Sequence, residues 1–316
     1  MARSPHTALP LTRRRALAGM AAGAAGLLLA ACGRRPAAPT PATASPPAGY
    51  RLGARFADGY AAPTVLASGS PQRAPYVLLG ADGWPVDRGG PDAIDLTVSH
   101  SGPDGEVVGT FTVARHGTSR DDGHEDHDHG DPIPYYPLVF VPPSSGDYLV
   151  DGPGISEAHA LRVVNADQLD VVQVGDLLPA VDTPTILDAR GVDPICTQAT
   201  GVCQFHEVTV TEALGRPGPT ALLASTPRFC QQDVCGPTIG LLADALHQRT
   251  ETWSAVHAEV YVAPLENDFS TTPVIAALGL SFEPSLVVAD ATGRITAVLH
   301  FTMDATEVAA ALSSVA

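Results

Sequence analysis

The chain contains no lysine: all 18 of its basic residues are arginine. That excludes a Schiff-base lysine, a lysine general base and the lysine of a phosphate-binding loop. Aromatic residues are sparse, at 5%, and only 16% of the 316 positions are charged. Basic residues are outnumbered, 18 against 34 acidic, which leaves a formal net charge of −16. An acidic chain repels phosphate backbones, so no nucleic-acid partner is expected. What the chain does have is 45% hydrophobic residues, enough to build packed cores. Its length suits about two domains at roughly 100–200 residues each.

Residues 1–31 read as an export signal. Arg13, Arg14 and Arg15 form a positive block, followed by the uncharged stretch Ala16–Gly33 with its apolar core Met20–Ala31. That core is short for a membrane-spanning helix, which needs about 20 apolar residues. It ends Leu29-Ala30-Ala31-Cys32, which resembles a bacterial lipobox. The resemblance implies that Cys32 becomes the lipid-modified first residue of a protein held at the outer face of the cell membrane. Thr12-Arg13-Arg14-Arg15-Ala16-Leu17 resembles the twin-arginine export motif, without its Phe and trailing Lys, so either export route stays open. Residues 32–49 hold Pro36, Pro39, Pro41, Pro46 and Pro47 among small residues, the composition of a semi-stiff tether.

Residues 50–165 read as an all-β domain. Ile94, Leu96 and Val98 alternate with polar residues, as do Phe111 and Val113, the period of half-buried strands. Ser145-Gly146-Asp147-Tyr148-Leu149-Val150 looks like a tyrosine corner leading into a strand of an immunoglobulin-like β-sandwich. Residues 166–316 change period, to α/β. Strands are expected over 220–225, 256–262, 285–289 and 294–300. Helices are expected over 237–249, 272–280 and 305–315, with the turn Asp290-Ala291-Thr292-Gly293 joining the last two strands.

Besides Cys32, the cysteines fall into two close pairs, Cys196 with Cys203 and Cys230 with Cys235. Export permits bridges, and four cysteines allow three connectivities, of which proximity favours the local one. Cys196–Cys203 reads as a structural bridge. The run Phe229-Cys230-Gln231-Gln232-Asp233-Val234-Cys235-Gly236-Pro237 follows a strand and opens a helix. Five residues of regular helix would separate two cysteines by about 7.5 Å of rise and about 140° of rotation, which no disulfide spans. The pair is therefore expected in a loop just before the Pro237 helix. With Phe282-Glu283-Pro284-Ser285 downstream, this pattern resembles the thioredoxin superfamily, over about residues 204–316. It is similar to the thioredoxin-like domain of exported actinobacterial lipoproteins. The resemblance implies a cis-Pro284 facing the redox pair, with Cys230 attacking and Cys235 resolving. The family's usual Cys-x2-Cys spacing is here Cys-x4-Cys.

The most biased stretch is Asp121–Asp131, carrying His124, His127 and His129 among carboxylates. Such a loop suits weak Zn²⁺ or Cu²⁺ binding, or is simply a solvated acidic loop. A copper chaperone of the Sco type is a poorer match, since its cysteine spacing is one residue shorter and no His adjoins Pro284. The expected function is thiol–disulfide exchange on the thiols or disulfides of exported proteins. The alternative is a non-enzymatic lipoprotein with structural disulfides that binds a partner or a metal.

The anchor is tested by Cys32→Ala. The variant should leave the membrane fraction with its fold unchanged, and retention with unaltered mobility would show that Cys32 carries no lipid.

Overall fold

The computed structural model describes residues 49–54, 65–86, 90–102, 105–117, 134–230 and 235–315, all within one compact unit, Pro46–Ala316. Cys32, the tether to residue 48 and the loop bearing His124, His127 and His129 lie outside the described residues. The described chain is mostly β-sheet with few helices. Among its residues no helix is long and apolar enough to cross a membrane.

The first half holds nine strands: β1 (Arg51–Ala54), β2 (Leu66–Ala67), β3 (Gln72–Leu79), β4 (Ala93–His100), β5 (Val107–Ala114), β6 (His116–Gly117), β7 (Pro134–Phe140), β8 (Gly146–Asp151) and β9 (His159–Val164). They form two sheets, ordered β1-β3-β7-β6 and β2-β9-β8-β4-β5. Successive side chains of a strand point to opposite faces, so each strand contributes alternate residues to one shared core. Ile94, Leu96 and Val98 come from β4, Tyr136, Leu138 and Phe140 from β7, and Leu161 and Val163 from β9. Tyr148 is fully buried and its hydroxyl donates to the Ser144 carbonyl at 2.6 Å, the contact expected of the corner ahead of β8.

The second half contains α1 (Val210–Leu214), β10 (Thr220–Ala224), α2 (Cys235–His247), β11 (Ser254–Ala258), β12 (Tyr261–Ala263), β13 (Asp268–Thr271), α3 (Pro273–Ala277), β14 (Ser285–Ala289), β15 (Ile295–His300) and α4 (Ala305–Ser313). Its main sheet is ordered β11-β10-β14-β15. β10 and β11 run parallel, while β10–β14 and β14–β15 are antiparallel. The sheet is covered on both faces, which is why β10 and β14 are buried at every residue. Ala221 and Leu223 share a core with Ile239 and Leu242 of α2 and Val308 and Leu312 of α4. Leu222 and Ala224 share the opposite core with Ala213 of α1 and Val274 and Ile275 of α3.

The strand expected over 256–262 is divided: β11 ends at Ala258, and Tyr261 turns into a separate hairpin of β12 with β13. The stretch from residue 169 to 209 contains no helix or strand, yet it buries Val172, Leu178, Phe205 and Val208 against the sheet. Gly279, with φ +64, passes so close to this stretch that a Cβ would lie 2.0 Å from the Asp170 carbonyl oxygen.

The two halves are joined by a buried ion pair. On β3 and β7 the residues that point away from the first core meet α4. Arg73 Nε and an Arg73 terminal nitrogen each lie 2.7 Å from Glu307, on separate carboxylate oxygens. Tyr135 donates to the same carboxylate at 2.5 Å. Arg73 also donates to the carbonyls of His300 and Thr302, at 2.8 and 2.7 Å. Their side chains are only 8% and 10% exposed, so the pair is desolvated and geometrically fixed. Beside it, His116 and Asp304 are 2.8 Å apart.

Removing one member of such a pair strands the other charge. Glu307→Ala should therefore lower stability by about 3–5 kcal/mol in urea unfolding, and pairing Arg73→Met with Glu307→Leu should recover most of it. A loss below about 1 kcal/mol would place the pair among dispensable surface contacts.

Candidate functional site

Two cysteine clusters lie at the end of the main sheet where β10 and β11 both finish. The first begins where β10 leaves the core. Ser225 and Thr226 are still buried, and Arg228 is the first exposed residue. Cys230 is half-buried, and Cys235 is fully buried as the first residue of α2. They are joined by a disulfide with Cα atoms 6.0 Å apart, inside the range a bridge tolerates. The helix starts two residues earlier than Pro237, which still falls in its first turn, where a missing N–H costs nothing. Thr238 Oγ1 donates to the Cys235 carbonyl at 2.6 Å and tightens that turn. A helix N-terminus carries unpaired N–H groups and about half a positive charge, which favours a thiolate there once the bridge is opened.

Pro284 follows a cis peptide bond and is buried at the start of β14. Its neighbour Glu283 ties it to the cysteine loop: Thr226 N–H donates to Glu283 Oε2 at 2.5 Å. Val260 N–H donates to Thr226 Oγ1 at 3.0 Å, so the loops after β10 and β11 are locked together with the Pro284 turn. Burial drives the Glu283 carboxyl up to about 7, against the hydrogen bond from Thr226. Beside Cys230, Phe229 packs edge-on against Phe269 of β13 at 5.9 Å, and Phe269 against Tyr261 at 5.3 Å. Phe269 is 48% exposed, so the rim next to Cys230 is aromatic and open to solvent.

The second cluster corrects the sequence reading. Cys196 and Cys203 are free thiols, not a bridge. Their sulfurs converge on His257 instead: His257 Nδ1 lies 3.8 Å from Cys196 Sγ and 3.5 Å from Cys203 Sγ. His206 Nε2 completes the group, 3.0 Å from the same nitrogen. These four atoms all lie within 4.8 Å of one another, a group that could hold a metal ion. His257 projects from β11 and is wholly buried, and its Nε2 is 3.0 Å from both the carbonyl and the hydroxyl of Ser225. That contact places the ring proton on Nε2 and leaves the Nδ1 lone pair facing the sulfurs. Hydrogen bonds from Cys203 and His206 hold the Cys196 thiol well below its ordinary range, while sharing that proton pushes Cys203 up. Burial raises Glu259 to about 7 although Thr197 N–H donates to it.

The sequence carries a signal for this second group as well. Cys203-Gln204-Phe205-His206 has the short spacing of a ligand pair, and His257 is a polar residue inside the apolar strand run Val256–Ala258. Only the pairing of the 203–206 stretch along β11, where His257 N–H donates to the Phe205 carbonyl at 2.9 Å, brings them together. A second carboxylate-rich group, His116 with Asp304 and Glu307, is accounted for by the ion pairs with Arg73 and His116. No protein-family model matches the chain, and no curated protein matches it.

The raised Glu283 pKa has a stability consequence. The unfolded carboxyl ionises near 4.5 while the folded one holds its proton to about 7. Its contribution is therefore complete below about 4.5 and is lost as pH rises toward 7. Chemical denaturation between pH 4.5 and 8 should show a decline that Glu283→Gln makes shallower, the remainder coming from Glu259, which also holds its proton to about 7. An identical decline in that variant would assign it to other groups.

Proposed function

We propose that the protein is an extracytoplasmic thiol–disulfide oxidoreductase, lipid-anchored through Cys32, that exchanges disulfides with exported proteins. The observation that carries this reading is the Cys230–Cys235 disulfide at the entrance of α2, with Cys230 half-buried and Cys235 fully buried. Such asymmetry suits a cycle in which a single thiol meets the substrate. In the reducing direction, Cys230 thiolate attacks a substrate disulfide, forms a mixed disulfide and expels one substrate thiolate. Cys235 thiolate then attacks Cys230 Sγ and releases the second substrate thiolate, leaving the Cys230–Cys235 bridge. Run backward, the same steps oxidise a substrate dithiol and leave the enzyme reduced.

Three further features support the reading. The parallel β10–β11 pair, the antiparallel β14–β15 pair, helices on both faces and the cis-Pro284 before β14 agree with a thioredoxin-like fold. The aromatic rim of Phe229, Phe269 and Tyr261 offers an apolar contact for an extended substrate chain. In the first half, the two sheets around one core and the Tyr148 corner fit an immunoglobulin-like sandwich, which would hold the redox half away from the bilayer.

Single-cysteine variants test the roles. Cys235→Ala should accumulate a reducible mixed disulfide mapping to Cys230 after acid quench, and Cys230→Ala should accumulate none there. Equal trapping by both variants would reverse or erase the assigned roles. No trapping by either, with a wild-type bridge below about −300 mV, would make the bridge structural.

A further inference from the structure

Cys196, Cys203, His206 and His257 take no part in the exchange chemistry, yet their donor atoms gather in one compact group beside β11. The four donor atoms lie within 4.8 Å of one another, and the three separations from His257 Nδ1 suit a tetrahedral metal site. With metal–sulfur bonds near 2.3 Å and metal–nitrogen bonds near 2.0–2.1 Å, tetrahedral angles set sulfur–nitrogen edges at about 3.6 Å and a nitrogen–nitrogen edge at about 3.3 Å. The edges from His257 Nδ1 are 3.5 Å to Cys203 Sγ, 3.8 Å to Cys196 Sγ and 3.0 Å to His206 Nε2. We propose that Cys196 Sγ, Cys203 Sγ, His206 Nε2 and His257 Nδ1 form a closed zinc-binding centre.

The chemistry selects zinc over other ions. Two sulfurs and two imidazoles in a tetrahedron are a zinc donor set, and all four positions are filled by protein, as in structural sites. Charge selects the same ion. Two thiolates and two neutral imidazoles around Zn²⁺ sum to zero, which a buried site tolerates, whereas Cu⁺ would leave one uncompensated negative charge. His206 and His257 are 1% and 0% exposed and Cys196 is 6% exposed, with Cys203 half-buried, so water screens that difference only weakly. The surroundings are also those of a ligated site. His257 directs Nε2 to the Ser225 carbonyl at 3.0 Å, orienting the ring and leaving Nδ1 free to ligate. Cys203 N–H donates to Cys196 Sγ at 3.4 Å, a bond that stabilises a thiolate.

The position of the site says what the ion would do. Three ligands come from the irregular stretch before α1 and the fourth from β11, so the ion would staple that stretch to the sheet edge. Thr197, next to Cys196, accepts from Arg228 N–H at 3.2 Å, two residues before Cys230. The staple would thus brace the loop that carries the exchange disulfide without touching its sulfurs.

The test uses the full chain purified without chelator, with Zn²⁺ alone as probe and metal content measured by mass spectrometry. About one zinc per chain is expected, lost at least 100-fold in affinity in Cys203→Ser, because replacing a ligand should exceed the 10–100-fold cost of replacing an outer partner. Replacing His124, His127 and His129 together by Ala should leave this zinc in place, which separates it from the histidine loop. Circular dichroism checks that Cys203→Ser is folded. Should it not fold, Co²⁺ added to the metal-free wild type decides: thiolate-to-cobalt charge-transfer bands support the site and their absence overturns it. Zinc unchanged in folded Cys203→Ser, zinc lost with the three loop histidines, binding of Cu⁺ but not Zn²⁺, or a Cys196–Cys203 disulfide as the sole form isolated would each overturn it. Trapping through Cys230 is read separately, so failure of the zinc centre leaves the exchange reading standing or falling by its own experiment.

Discussion

Parallel pairing of β10 with β11, from Thr220 beside Ser254 to Ala224 beside Ala258, is the constraint on which both cysteine clusters depend. Parallel neighbours cannot be joined by a tight turn, so the chain must cross over a face of the sheet. It does so through α2, which has to start close to the point where β10 ends. Cys235 occupies that first helical position, and Cys230 sits on the loop that feeds it. The same pairing carries His257 to the end of β11, level with Leu223 and within reach of Ser225. Break the parallel pair and neither the disulfide nor the His257 cluster retains its setting.

At that end of the sheet the interior turns polar. Ser225, Thr226, His257 and Glu259 are buried, and their hydrogen bonds interlock three loops. Buried polar groups carry a heavy desolvation cost unless partnered, so a cluster of them beside an apolar sheet makes this end a candidate site. The carboxyls of Glu259 and Glu283 both hold protons to about 7 because burial opposes their charge. The two cysteine groups are thus distinct yet share one hydrogen-bonded frame, through Thr197, Arg228 and Thr226.

The first half bears on this frame only from a distance. Its own core is closed by alternate residues of two sheets. What it presents to the second half is the opposite face of β3 and β7, where Arg73 and Tyr135 engage Glu307 on α4. Gln72 adds a bond to Gln173 at 2.9 Å, tying the irregular stretch after β9 to the same junction. These contacts are polar and desolvated, so they set orientation more than they add stability.

Much of the element order was legible in the sequence because local chemistry decides it. The apolar run Ser285–Ala289 is a strand with those same ends, and Asp290–Gly293 turns as its composition demands, with Gly293 at φ +79. The alternation of Ile94, Leu96 and Val98 marks an inner face whatever lies opposite. The disulfide between Cys230 and Cys235 was legible too, because a separation of five residues leaves little freedom over how the two sulfurs meet. Tertiary structure alone decided the rest. Whether Cys196 and Cys203 bridge each other or turn toward a histidine depends on His257, more than fifty residues away and brought there by strand pairing. The opposed faces of Arg73 and Glu307, 234 residues apart, were likewise beyond local pattern. Periodicity reports which face of an element is apolar; it does not report which polar residues from distant elements will share one buried space.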